Sequence, residues 1–156
     1  MKNMKIIFLD FDGVLNCRRY RENCLNYYED YIDESRMYLL KYIVDKTGAK
    51  IVLTTTWRMY WDSSCPDGYE EAQKINNIFA KYGLEIYSKT NNYEENRDFE
   101  ITMWIAENNI KQYVILDDND FGWSKLNREH FVQTDDEKDG LDEEQVQKAI
   151  DILTFE

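Results

Sequence analysis

Proline is nearly absent. Pro66 is the only one among 156 residues, and there are six glycines. A flexible linker draws on such residues, so one domain spanning 1–156 is expected. Histidine is as rare: His130 stands alone, far along the chain from Cys17, Cys24 and Cys65. The cysteines form no CxxC pair and are odd in number, so neither a zinc site nor a disulfide framework is expected. A reduced, cytoplasmic protein fits that usage. No apolar run is long enough to cross a membrane, so no membrane partner is expected. Met1-Lys2-Asn3-Met4 leads directly into the first apolar run, so no signal peptide is expected. Positive charge is scarce too: 19 Lys and Arg face 31 acids, for a net charge of −12. That disfavours nonspecific binding to nucleic acid, though not a small basic site.

Hydrophobic residues make up 43% of the chain and aromatic residues 15%. A chain this long buries roughly 70% of its unfolded surface. The most informative stretch is Lys5-Ile6-Ile7-Phe8-Leu9-Asp10-Phe11-Asp12-Gly13-Val14. A short continuous apolar run suits a strand buried on both faces. It ends in two aspartates and a glycine that can turn the chain sharply. Ligands of open α/β sheets collect at the carboxyl ends of strands. Two carboxylates there repel one another unless a cation neutralises them. A hard cation such as Mg2+ would do so and leave positions for phosphate oxygens. A solvated strand-end turn is the bland alternative.

Asn16 to Tyr31 is polar and aromatic, carries Arg18, Arg19 and Arg21, and reads as a flap or minimal cap insertion (16–31) over the strand end. Asp33 caps a helix with Met37, Leu40, Ile43, Val44 and Thr47 at helical spacing, closed by Gly48. Ile51 to Leu53 reads as a second buried strand, followed by the hydroxyl run Thr54-Thr55-Thr56. Met59 to Tyr69 reads as a loop. A helix carrying Ala72, Ile75, Phe79 and Tyr82 ends at Gly83, and Leu84 to Tyr87 reads as a short strand. Lys89 to Glu95 is polar loop. Asn96 or Asp98 caps a helix with Ile101, Trp104 and Ile105 inward. Tyr113 to Asp118 repeats the opening design, an apolar strand ending in two acids. Phe131 to Thr134 is a last short strand, Asp135 to Asp139 a solvated acidic loop, and Val146, Ala149, Ile150 and Leu153 line a final helix. This alternation predicts an α/β fold: a Rossmann-like, mostly parallel sheet with helices on both faces.

In such a sheet Asp10/Asp12, Thr54 and Asp117/Asp118 share one edge. Four carboxylates and a hydroxyl there point to a Mg2+ site beside a phosphate. A transferring phosphate also needs a positive group; Arg97, Lys89 and Arg58 all lie within reach of that edge.

The order DFDGV, IVLTTTWR, a basic residue, then VILDD resembles the haloacid dehalogenase-like (HAD-type) phosphatase superfamily. FLDFDGVLN, Trp57-Arg58, Arg97 with Glu100-Ile101 and Trp104, and the late Gly140-Leu141 are similar to a compact branch that includes HAD domains of bacterial RNA-repair proteins. The resemblance covers nearly the whole chain. It implies that Asp10 is the nucleophile and forms an aspartyl-phosphate, and that Asp12 is the general acid/base. An acid at this position argues against a true dehalogenase. It implies that Thr54 holds phosphate, with Thr55 or Thr56 as alternatives because side chains alternate along a strand. It implies Mg2+ bound by Asp10, the backbone carbonyl of Asp12, Asp117 and Asp118. Arg97 is favoured over Lys89 as the basic residue. Thr55, Arg58, Lys89, Arg18, Arg19 and Arg21 are candidate substrate contacts. The substrate class is a phosphomonoester, either a small molecule or a nucleic-acid end; a phospho-ligand-binding or partner-binding module on the same fold is the alternative.

Overall fold

The computed structural model describes residues 3–26 and 30–155. Five strands form one sheet: β1 Lys5–Leu9, β2 Lys50–Leu53, β3 Ile86–Lys89, β4 Gln112–Asp117 and β5 Phe131–Gln133, in the order β3-β2-β1-β4-β5. Every pairing is parallel, so the expected mostly parallel sheet is wholly so. Helices α1 (Arg18–Asn23), α2 (Glu34–Thr47), α3 (Glu70–Lys81), α4 (Arg97–Asn108), α5 (Lys125–Arg128) and α6 (Glu143–Thr154) connect and flank the strands. Among the described residues, no helix is long and apolar enough to cross a membrane.

The apolar runs of β1, β2 and β4 are continuous because both faces of the sheet are covered. Ile7, Leu9, Ile51, Leu53, Val114 and Leu116 belong to a core cluster with residues of α2, α3 and α6. Ile6, Phe8, Val52, Tyr113 and Ile115 belong to a second, with Ile101 and Trp104 of α4. Phe8 meets Trp104 and Tyr113 edge-on, with ring centroids 5.7 Å apart in both cases.

Local capping follows the sequence closely. Asp33 accepts from the Ser35 amide, and Gly48 closes α2 in a left-handed conformation. Asn96, rather than Asp98, caps α4 through the Phe99 amide. Asp142 and Gln145 form a reciprocal capping box on α6.

Three boundaries differ from expectation. The third strand is Ile86–Lys89, two residues later than predicted. The Leu84 amide bonds back to the Phe79 carbonyl and Gly83 lies at φ +71°, so Leu84 completes the helix end instead of opening the strand. Met59 and Tyr60, expected in a loop, close a 3-10 helix over Thr56–Tyr60 that Thr55 caps. The flap contains α1, and its residues 27–29 lie outside the described residues.

Candidate active site

The sheet register brings the chemistry-bearing residues into one row. Leu9 pairs with Leu53 on one side and Leu116 on the other, and Lys89 pairs with Leu53. The ladder runs one residue further: the amide of Thr54 bonds the Leu9 carbonyl at 3.0 Å, Asp10 bonds Leu116 at 3.1 Å, and Thr90 bonds Leu53 at 3.0 Å. Thr90, Thr54, Asp10 and Asp117 therefore stand side by side at the carboxyl edge of the sheet. In a parallel sheet, residues in one row face the same side.

Asp10, Asp117 and Asp118 converge, each offering a carboxylate oxygen within 4.8 Å of the others. Asp117 is fully buried and Asp10 nearly so. Arg97, the first residue of α4, reaches into the cluster, with Nη1 2.7 Å from Asp117 Oδ2 and 3.3 Å from Asp10 Oδ2. Its guanidinium also lies 5.0 Å from the Phe121 ring centroid. Burial, and then the charge of Asp117, push the Asp10 carboxyl up to about 8 against the pull of Arg97. Burial and Asp117 likewise raise Asp118 to about 6. Hard oxygen donors this close, with raised proton affinity, suit a divalent cation that prefers oxygen. Gly13 makes the approach possible. It sits at φ +83°, and a Cβ there would lie 2.4 Å from Asp118 Cγ.

The three threonines differ. Thr54 Oγ1 is fully buried and has no hydrogen-bond partner among the described residues. A buried hydroxyl without a partner is uncommon and points to a ligand. Thr55 Oγ1 accepts from the Trp57 amide at 3.3 Å, and Thr56 is exposed. Asp12 is half-buried, and its Oδ1 accepts from Asn16 Nδ2 at 2.9 Å. Asn16, fully buried, also accepts from the Gly13 amide and from Arg21, and donates to the Tyr31 carbonyl.

The remaining basic residues are not gathered around the carboxylates. Lys89 donates to the carbonyls of Arg58 and Trp61. Arg58 donates to three backbone carbonyls and to Glu100. Arg18 pairs with Glu22 and Glu137, Arg19 with Asp139, and Arg21 bidentately with Asp136. The acidic loop 135–139, expected to be solvated, is thus the counter-charge of the flap. Beside Arg97 lies a cavity of about 500 Å3, whose wall includes Thr56, Met59, Lys89, Asn92 and Phe121.

Sequence reasoning passed over Asn16, Asp136 and the part played by Glu100. Glu100 had a local signal, since it follows Arg97 by three residues and so shares its helix face. Asp136 had none, because its pairing with Arg21 spans 115 positions.

A parallel sheet whose central strand ends in Asp10-Phe11-Asp12-Gly13, with a second acid pair on the adjacent strand, defines a compact HAD-type domain. The family model described as the HAD domain in Swiss Army Knife RNA repair proteins matches residues 6–146, and the chain belongs to that family. No curated protein and no solved structure matches the chain.

Proposed function

We propose that the protein is a Mg2+-dependent phosphomonoesterase that works through an aspartyl-phosphate on Asp10. The observation that carries this reading is the row itself: Asp10 between Asp117 and Thr54, with Arg97 bridging the two acids and the Thr54 hydroxyl buried without a partner. Membership in a HAD family supports a phosphatase-like activity.

Asp10, Asp117, Asp118 and the backbone carbonyl of Asp12 would hold Mg2+. The ion would offset charge on the phosphate and keep the Asp10 carboxyl ionised. Thr54 would donate its hydroxyl to a phosphate oxygen, and Arg97 would offset charge as it develops. An Asp10 carboxylate oxygen attacks phosphorus, and the bond from phosphorus to the ester oxygen breaks. Asp12, oriented by Asn16, gives its proton to the departing oxygen. Water then attacks phosphorus, Asp12 takes a proton from that water, and the Asp10–phosphorus bond breaks to release inorganic phosphate.

The family's description favours a phosphate at a nucleotide or polynucleotide end as the substrate. The flap arginines add less to that reading than their number implies, because loop 135–139 already balances them.

The test is phosphate release from p-nitrophenyl phosphate, nucleotides, sugar phosphates and 3′- or 5′-phosphorylated oligonucleotides, with Mg2+ and with chelator. The reading expects release that requires Mg2+ and is fastest on a nucleotide or oligonucleotide end. No release from any of them at high enzyme concentration would overturn it.

A further inference from the structure

We propose that the Arg58–Glu100 pair is the positioning device of the phosphate cradle, and that Arg58 does not itself contact substrate. This rests on the phosphatase reading and assigns the pair a role within it. Arg58 commits four of its five guanidinium N–H donors to the protein. Nη1 donates to the carbonyls of Thr54 at 2.6 Å and Thr55 at 3.0 Å, Nε to Thr90 at 3.1 Å, and Nη2 to Glu100 Oε1 at 3.1 Å. Arginine's fixed fork of donors is suited to such a joint, and a lysine cannot reproduce it. Glu100 is 2% exposed, and its second oxygen accepts from the Tyr93 amide at 2.9 Å. One ion pair, with its Glu100 end buried and its Arg58 end largely so, therefore ties together three separate pieces of chain: the turn after β2, the loop after β3, and the first turn of α4.

Two of those pieces each carry a group that would meet the phosphate. Thr54 offers the unpartnered hydroxyl, and its own carbonyl is gripped by Arg58. Arg97 stands one helical turn before Glu100, on the same face of α4. The pair thus sets the spacing of Thr54 against Arg97 while remaining outside the carboxylate cluster. A catalytic constellation loosened by about 1 Å loses much of its effect. Loss of the pair should accordingly weaken the grip on phosphate and spare the acids that would hold the metal.

The experiment uses the whole protein and reads two affinities by calorimetry: Mg2+ alone, and tungstate, a phosphate-shaped oxyanion, at saturating Mg2+. The proteins are wild type, Glu100→Gln, Arg58→Lys and Arg58→Met. Thermal melting of each shows how far the fold survives. Positioning predicts that tungstate binding falls at least tenfold in Glu100→Gln and Arg58→Met, that Mg2+ affinity stays within twofold, and that Arg58→Lys recovers only part of the loss. On p-nitrophenyl phosphate, kcat should fall more than KM rises. Tungstate binding unchanged in the folded Glu100→Gln variant overturns the proposal. So does a parallel fall of Mg2+ and tungstate affinity with melting temperature, because the pair would then be general core support. Should Arg58→Met not fold, Glu100→Gln and Arg58→Lys decide alone. Failure of the phosphatase reading shows separately, as a wild type that binds neither probe.

Discussion

The chain places two groups of arginines near the carboxyl edge of its sheet, and they behave differently. Arg58 and Arg97 have side chains 11% and 12% exposed and meet acids that are themselves buried. Arg18 and Arg19 are more than half exposed and pair with exposed acids. In sequence the flap looks the more purposeful, with three arginines in four positions. In the fold its charge is balanced by loop 135–139, whereas Arg97 faces two buried carboxylates. An arginine's worth at a phosphate site is set by what already faces it. Arg21 lies between the two groups, half-buried on Asp136 and bonded to the Asn16 that orients Asp12.

Among the arginines, the largest effect should come from Arg97→Met. Phosphatase turnover should fall by roughly 10^2–10^3, the usual cost of losing one charge-stabilising donor. The metal-free fold should lose about 3–5 kcal/mol, because buried acids are left without their cation. Steady-state kinetics and chemical denaturation check both. A variant as active as wild type would reduce Arg97 to a purely structural ion pair.

Next is Asp118→Asn. Removing one charge from the cluster should weaken Mg2+ binding by about tenfold or more, since ligand charge sets the affinity of such sites. The metal-free protein should be as stable as wild type or more so, because repulsion with Asp117 is relieved. Calorimetry and melting curves read the two separately.

Burial of the Asp10 carboxyl, and then repulsion from Asp117, give a pH dependence. Asp10 has an ordinary value of 3.8 and is raised to about 8 in the fold. The native state therefore holds a proton that the unfolded state has released. Metal-free stability should be greatest below pH 4 as far as this group is concerned, and should fall as pH rises toward 8. Over the same window Mg2+ should bind more tightly and displace a proton. Melting curves against pH, with and without Mg2+, test this; a metal-free protein that grows steadily more stable from pH 5 to 8 would contradict it.

The smallest effects divide the flap. Arg21→Met should cost about 1–3 kcal/mol, since Asp136 and Asn16 lose a half-buried partner, and it should slow turnover through Asp12. Arg18→Ala with Arg19→Ala should leave stability and p-nitrophenyl phosphate turnover close to wild type, as exposed pairs contribute little. A rise in KM confined to a phosphorylated oligonucleotide would restore the flap to a substrate role.

How much of this the sequence disclosed depended on how local each cause was. The strands β1, β2 and β4 announced themselves as apolar runs, and Asp33, Gly48 and Asn96 marked helix ends through their own chemistry. Asp10, Asp117 and Asp118 were recognisable because a parallel sheet must bring strand ends to one edge. The shifted third strand was misread because alternation in Leu84–Tyr87 looks the same whether Leu84 packs as a helix end or as a strand. Paired charges were the least legible. Arg21 and Asp136, or Arg58 and Glu100, meet only through tertiary structure, and no periodicity connects them.

The central claim is that the Asp10 carboxylate takes the phosphoryl group. The most direct measurement is mass spectrometry of acid-quenched protein during turnover of a phosphorylated substrate with Mg2+. The account predicts a phosphoryl adduct on the peptide containing Asp10, absent in a folded Asp10→Asn variant that has lost turnover. Undiminished turnover in Asp10→Asn, with no adduct on wild type, would contradict it.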